Sequence, residues 1–176
     1  PALSSRVIND VIQSKNMPNN IDLIYQSVLG STVHYFLEHC LFEPSFESIE
    51  VRFKEFGLPT KLIQSYSKAA SLLLLNTKRD KDFEWLFKYR DSTEVEAEYS
   101  NASKTVIIDR LFIEDDTLWI IDFKTASPND GESMSSFIGR QKHSHQKQIK
   151  IYQEVLDDFF KLPSKAALYC PAASQL

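Results

Sequence analysis

Glycine is scarce in this chain, at four of 176 residues, and no cluster of them forms a loop able to cradle a phosphate on backbone N–H groups. That absence discourages a hydrolase of small phosphoesters. Cysteine is scarcer still. Cys40 and Cys170 lie far apart and match no metal-binding spacing, so neither a zinc knuckle nor an iron–sulfur cluster is expected. Two isolated thiols and no signal-type leader imply a reducing, cytoplasmic setting. Long apolar runs are missing as well: the run of leucines at residues 72–75 falls far short of the ~20 residues that span a membrane, and no other run approaches that length. There is no excess of positive charge either. Lys and Arg number 20 against 24 Asp and Glu, for a net charge of −4, so any contact with a polyanion must rest on a local patch or on another subunit.

What is present suffices for one hydrophobic core. With 43% apolar residues, the chain is expected to form a single domain over residues 1–176, mainly helical over 1–90 and built of a sheet and a flanking helix over 93–176. The chain begins at Pro1 without methionine and stops at Leu176 just after a strand-like segment, as expected of a domain cut from a longer polypeptide. Residues 21, 24, 25, 28 and 29 are apolar at helical spacing. Residues 93–99, 105–113 and 118–123 read as an antiparallel meander, and the last two runs are apolar on both faces, which predicts cover on both sides. Residues 126–140 read as a mobile loop, followed by a helix over 141–160 and a closing strand over 166–170. The fold class is α/β, with a central mixed sheet flanked by helices and an N-terminal helical region.

The meander carries the densest chemistry. A symmetric turn centred between Asp115 and Asp116 places Asp109 and Asp122 equidistant from it, hence directly opposite one another. Opposed residues on one face have Cβ atoms about 4.5–5.5 Å apart, so two carboxylates there repel unless a cation or a proton intervenes. Lys124, two residues beyond Asp122, points to the same face. A pair of surface acids with a plain lysine counter-ion is the bland alternative, but strands apolar on both faces leave little solvent for it. Paired carboxylates suit a hard divalent cation such as Mg²⁺ or Mn²⁺. Beside such an ion an ammonium group can orient a nucleophile or stabilise charge on an attacked phosphate.

Two further segments are ambiguous by themselves. His34 shares a helical face with Glu38, one turn on, and follows Gly30, one turn back. A glycine there costs about 1 kcal/mol of helix stability and leaves room for a close approach beside the imidazole. The alternative is a satisfied core histidine. Gln148 and Tyr152 share a face with His145 a turn earlier, although Tyr152 also fits an ordinary apolar stripe with Ile149, Leu156 and Phe159. Arg140, Lys142, His143, His145, Lys147 and Lys150 form the densest basic segment of an acidic chain, either a phosphate-contacting surface or a solvated face. Glu94, Glu96 and Glu98 alternate along one face of the first strand.

Taken in order, Gly30 with His34, the acidic strand around Glu96, Ile108-Asp109-Arg110, Ile121-Asp122-Phe123-Lys124-Thr125 and Gln148 with Tyr152 resemble the RecB- and AddA-type nuclease domains of the PD-(D/E)XK superfamily. The resemblance runs from Gly30 to Cys170. It implies a restriction-endonuclease-like fold and a Mg²⁺-dependent DNA nuclease, with Mn²⁺ able to substitute, serving recombination and repair. His34, Asp109, Asp122 and the backbone carbonyl of Phe123 become metal ligands, and Lys124 the catalytic lysine. Gln148 and Tyr152 become supports near the scissile strand, and the products carry 5′-phosphate and 3′-hydroxyl ends. DNA is the implied partner, with a covalently linked helicase motor and a second subunit; no nucleotide is expected in this domain and no membrane. Glu96 matches the acid of the first strand, but its neighbours Glu94 and Glu98 leave that position unassigned. The rival reading is a catalytically silent DNA-end-binding or scaffold module of the same fold.

Overall fold

Apolar residues at helical spacing become three helices in the computed structural model, which describes residues 20–173. The helix expected within residues 1–19 lies outside the described residues. The helices are α1 (Asn20–Glu38), α2 (Phe46–Glu55) and α3 (Thr60–Arg79), and they bury Leu29, Val33, Leu37, Phe53, Leu73 and Leu74. Ser45 caps α2 by accepting the Ser48 N–H at 3.1 Å. At the other end Gly57 takes φ +74°, its N–H bonds the Lys54 carbonyl, and the Leu58 N–H reaches the Phe53 carbonyl at 3.0 Å. That closure needs a left-handed residue, which glycine supplies at no steric cost. α1 closes in the same way through Cys40, at φ +54°. These helices belong to a compact unit of residues 20–84 with 125–131 and 170–173. Within it a Cβ on Gly30 would stand 3.2 Å from the Thr125 hydroxyl, so the close approach that the glycine permits is made by Thr125.

The second unit, residues 85–124 and 132–169, is built on a four-stranded mixed sheet. Its strands, β1 (Glu94–Ser100), β2 (Thr105–Glu114), β3 (Thr117–Phe123) and β4 (Ser164–Tyr169), lie in chain order. The first three are antiparallel; β4 runs parallel to β3 after the helix α4 (Met134–Asp157). A parallel return requires such a crossover. α4 lays Tyr152, Val155 and Leu156 against Ile108, Leu111, Leu118 and Ile120. Trp85, Leu86 and Phe87 serve the other face: Trp85 meets Phe112 and Trp119 edge-on, and Phe87 stacks on Phe123 at 5.8 Å. The sheet therefore has helix on one side and an aromatic turn on the other.

Three expectations need correction. α4 starts at Met134, seven residues before the expected 141, because Ser133 caps it by accepting the Ser136 N–H at 3.2 Å. Cover on both faces holds for β3 and for β2 from Arg110 onward, but the start of β2 is one-sided, with Ile107 56% exposed. The three glutamates of β1 do not share one face. Glu96 sits at φ +45°, which interrupts the alternation and lets Tyr99 donate to Glu94, five residues away, a separation that a regular strand would split between faces.

Arg110, in the Ile-Asp-Arg run, is 3% exposed and donates Nε–H to the Leu86 carbonyl at 3.0 Å and Nη2–H to the Lys88 carbonyl at 3.3 Å. It ties the aromatic turn to the sheet. Arg110→Met keeps the aliphatic bulk and strands these carbonyls, so unfolding stability should fall by about 2–3 kcal/mol in urea denaturation. An unchanged midpoint would show that aromatic packing alone holds the turn.

Candidate functional site

The hairpin of β2 and β3 positions the acids. Asp115 and Asp116 have φ of +50° and +53°, the left-handed pair that a two-residue turn of matching twist requires. The turn fixes the ladder, in which Glu114 faces Thr117 and Arg110 faces Ile121; Asp109 and Asp122 come next. Beyond Arg110 the register tightens into a side-chain contact: Asp109 Oδ2 accepts the Phe123 N–H at 2.6 Å. The ladder ends one pair short of the two acids, and the Asp109 charge acts on Asp122, so the structure brings together the acids that the turn arithmetic set opposite one another.

Both acids resist ionisation. Burial is the main cause and holds each carboxyl above the usual carboxylate range. For Asp109 the Phe123 N–H and the Lys124 charge work the other way, and Glu96 adds to the rise. For Asp122, 1% exposed, Lys124 opposes the rise and the Asp109 charge adds to it. Lys124 Nζ lies 2.7 Å from Asp122 Oδ2, with its side chain 20% exposed, and its own N–H bonds the Tyr169 carbonyl of β4. Two carboxylates and an adjoining peptide carbonyl form a set of hard oxygen donors, which fits Mg²⁺ or Mn²⁺ and not a thiophilic ion.

α4 brings the helical supports to the same sheet. Tyr152 is buried in the core by its ring, yet its hydroxyl accepts from Gln148 Nε2 and donates to Asp122 Oδ1 at 3.5 Å. Burial first, then the Asp122 charge, pushes the phenol up to about 12, so it stays protonated near neutral pH. His145 Nδ1 meets Gln148 Oε1 at 3.2 Å. The core reading of Tyr152 and its site reading are both true of different atoms.

The second unit thus brings together Asp109, Asp122, Phe123, Lys124, Gln148 and Tyr152. His34 is placed on α1 in the first unit, with Glu38, buried at one turn's distance, on the same helix. Glu96, left unassigned by sequence, is the acid of β1 whose charge acts on Asp109. Among the basic residues Arg140 is committed to Glu132 through two hydrogen bonds of 2.9 and 2.7 Å, whereas Lys142, His143, Lys147 and Lys150 are exposed.

The sequence pattern of the PD-(D/E)XK nuclease superfamily matches residues 13–175, almost the whole chain. No curated protein matches the chain. Among the described residues no helix is long and apolar enough to cross a membrane.

The raised acids give a pH signature. A carboxyl whose folded value lies above its unfolded one binds more protons in the folded state, so its contribution to stability is present on the acid side and is lost as pH rises through the folded value. With divalent ions chelated, urea stability of the wild type relative to the Asp109→Asn/Asp122→Asn double variant should decline from mildly acidic pH toward neutrality. A difference that does not change with pH would mean that the pair is ordinarily solvated.

Proposed function

The chain belongs to the PD-(D/E)XK nuclease superfamily, and on that membership we propose that it is a Mg²⁺-dependent deoxyribonuclease of the RecB and AddA type. It hydrolyses DNA phosphodiester bonds, accepts Mn²⁺ in place of Mg²⁺, and serves recombination and repair as one cytoplasmic nuclease domain of a longer helicase–nuclease chain that works with a second subunit. The carrying observation is that Asp109 and Asp122 stand near one another at the end of the hairpin ladder, with Lys124 in contact with the second acid.

On this reading Asp109, Asp122, the Phe123 carbonyl and His34 hold the metal. Divalent-metal chemistry at such oxygens supplies a nucleophile at neutral pH and offsets charge on the attacked phosphate. Lys124 stays partly exposed while anchored on Asp122, so its ammonium is fixed beside the acids and still open to a phosphate oxygen. Gln148 and Tyr152 hold the scissile strand against that group. The rival, a silent DNA-end module, draws on the same ion pair as plain charge neutralisation. The complete acid–acid–lysine set stands against it.

Labelled single- and double-stranded DNA incubated with Mg²⁺, with Mn²⁺ and with EDTA tests the reading directly. Asp122→Ala and Lys124→Ala should each lower cleavage by at least about a hundredfold. Calorimetry should separate them, with Mn²⁺ binding weakened in the first and near normal in the second. His34→Ala should lose cleavage and keep its melting temperature. Full activity in the Asp122 or Lys124 variant would refute the assignment, and a collapsed melting temperature for His34→Ala would return that residue to the core.

DNA binding is assigned to α4. Replacing Lys142, Lys147 and Lys150 by Gln should weaken binding to all sequences alike and flatten the log–log salt dependence by about one unit for each phosphate no longer neutralised. Affinity unaffected by the triple substitution, measured by fluorescence anisotropy over a salt series, would place the nucleic-acid surface elsewhere.

A further inference from the structure

We propose that His145 is a positioning residue that sets the direction of a hydrogen-bond chain running along α4 through Gln148 and Tyr152 to the Asp122 carboxylate. His145, Gln148 and Tyr152 stand three and four residues apart and so share one helical face. Of the two histidines on this helix, His143 is exposed and His145 is partly buried. The hydrogen bonds run from His145 Nδ1 to Gln148 Oε1 at 3.2 Å, from Gln148 Nε2 to the Tyr152 hydroxyl, and from that hydroxyl to Asp122 Oδ1 at 3.5 Å.

The chain has one consistent polarity. Asp122 as a carboxylate only accepts, so Tyr152 turns its proton toward it. The Tyr152 oxygen then accepts, and Gln148 must offer its Nε2–H. The remaining amide atom, Oε1, faces His145 and needs a donor, which places the neutral ring's proton on Nδ1. The converse arrangement shows what is at stake. With the proton on Nε2, the bare Nδ1 would call for an N–H from Gln148, the amide would turn end for end, and its carbonyl would take the Tyr152 proton. Asp122 would then lose that hydroxyl. The tautomer of a histidine with no hydrogen bond to the acids thus decides whether Tyr152 is presented to Asp122.

The role assigned to His145 in cleavage rests on the nuclease reading; the tautomer does not, and the two are tested apart. Nitrogen NMR at alkaline pH, on the metal-free chain, should find His145 protonated at Nδ1, and Tyr152→Phe should return it to the Nε2–H form that solvated histidines favour. Cleavage by His145→Ala should fall by about ten- to a hundredfold, the usual cost of removing a residue that orients an active-site group. The His145→Ala/Gln148→Ala double variant should be no slower than Gln148→Ala alone. His145→Asn, whose amide nitrogen occupies the place of Nδ1, should recover most of the rate. An Nε2–H tautomer in the wild type overturns the proposal, as does full activity in an equally stable His145→Ala. If the tautomer is as expected and the wild type cuts no DNA, the nuclease reading falls and the hydrogen-bond chain stands.

Discussion

A buried carboxylate, Asp122, and a half-buried one, Asp109, stand near one another at the end of a hairpin ladder, and the rest of the site is arranged around them. At an effective dielectric of about 20, two unit charges about 5 Å apart repel by about 3 kcal/mol, a large part of a domain's net stability. Asp109 and Asp122 are held there by the register, which a slip of one residue would abolish by turning every side chain to the other face. Asp115 and Asp116 at positive φ fix that register, and the Phe123 N–H on Asp109 Oδ2 adds a hydrogen bond at its far end. A turn remote from the chemistry therefore sets the distance on which the chemistry depends.

The two acids are compensated differently. Asp122 has a cation in contact and a phenol hydroxyl near its other oxygen. Asp109 accepts from a neutral N–H and has the Glu96 charge against it. Glu96 is itself in the left-handed region, a conformation that costs a non-glycine residue about 1–2 kcal/mol and here spoils the regularity of β1 opposite Asp109. Strain and the Glu96 charge thus meet at Asp109, while the lysine contacts the more deeply buried Asp122.

Much of this was legible because hairpins obey arithmetic. The turn at Asp115 and Asp116 gave the opposition of Asp109 and Asp122, and the two-residue period gave Lys124. The first hairpin obeys the same rule: its ladder pairs Val95 with Arg110 and Ala97 with Ile108, which leaves Glu96 across from Asp109. Counting outward from the tight turn between Ser100 and Thr105 would have singled out Glu96 from its neighbours. Two features were hidden for physical reasons. The first turns of α4 carry Ser135, Ser136 and Gly139, residues that favour loops by propensity, and only the Ser133 cap and the packing of Phe137 keep them helical. Arg110 reads as an ordinary strand charge because no local pattern reveals that its partners are carbonyls more than twenty residues back.

Tyr152 shows why core and site should not be weighed as alternatives. Burying an aromatic ring contributes about 1.5–3 kcal/mol, which holds the side chain in place whether or not its hydroxyl has a task. The ring packs with Val155 and Leu156, so the position of the hydroxyl is inherited from the core and costs no further ordering. Lys124 inherits its place in the same way, from a main-chain bond to β4, and Asp122 from a strand buried on both faces. The polar atoms form a short chain, and their positions are fixed by apolar packing on either side of the sheet. An exposed loop carrying the same residue types would have to order each of them separately, at about 1–2 kcal/mol of backbone entropy per residue. The sheet thus orders the site residues through the same packing that folds the unit.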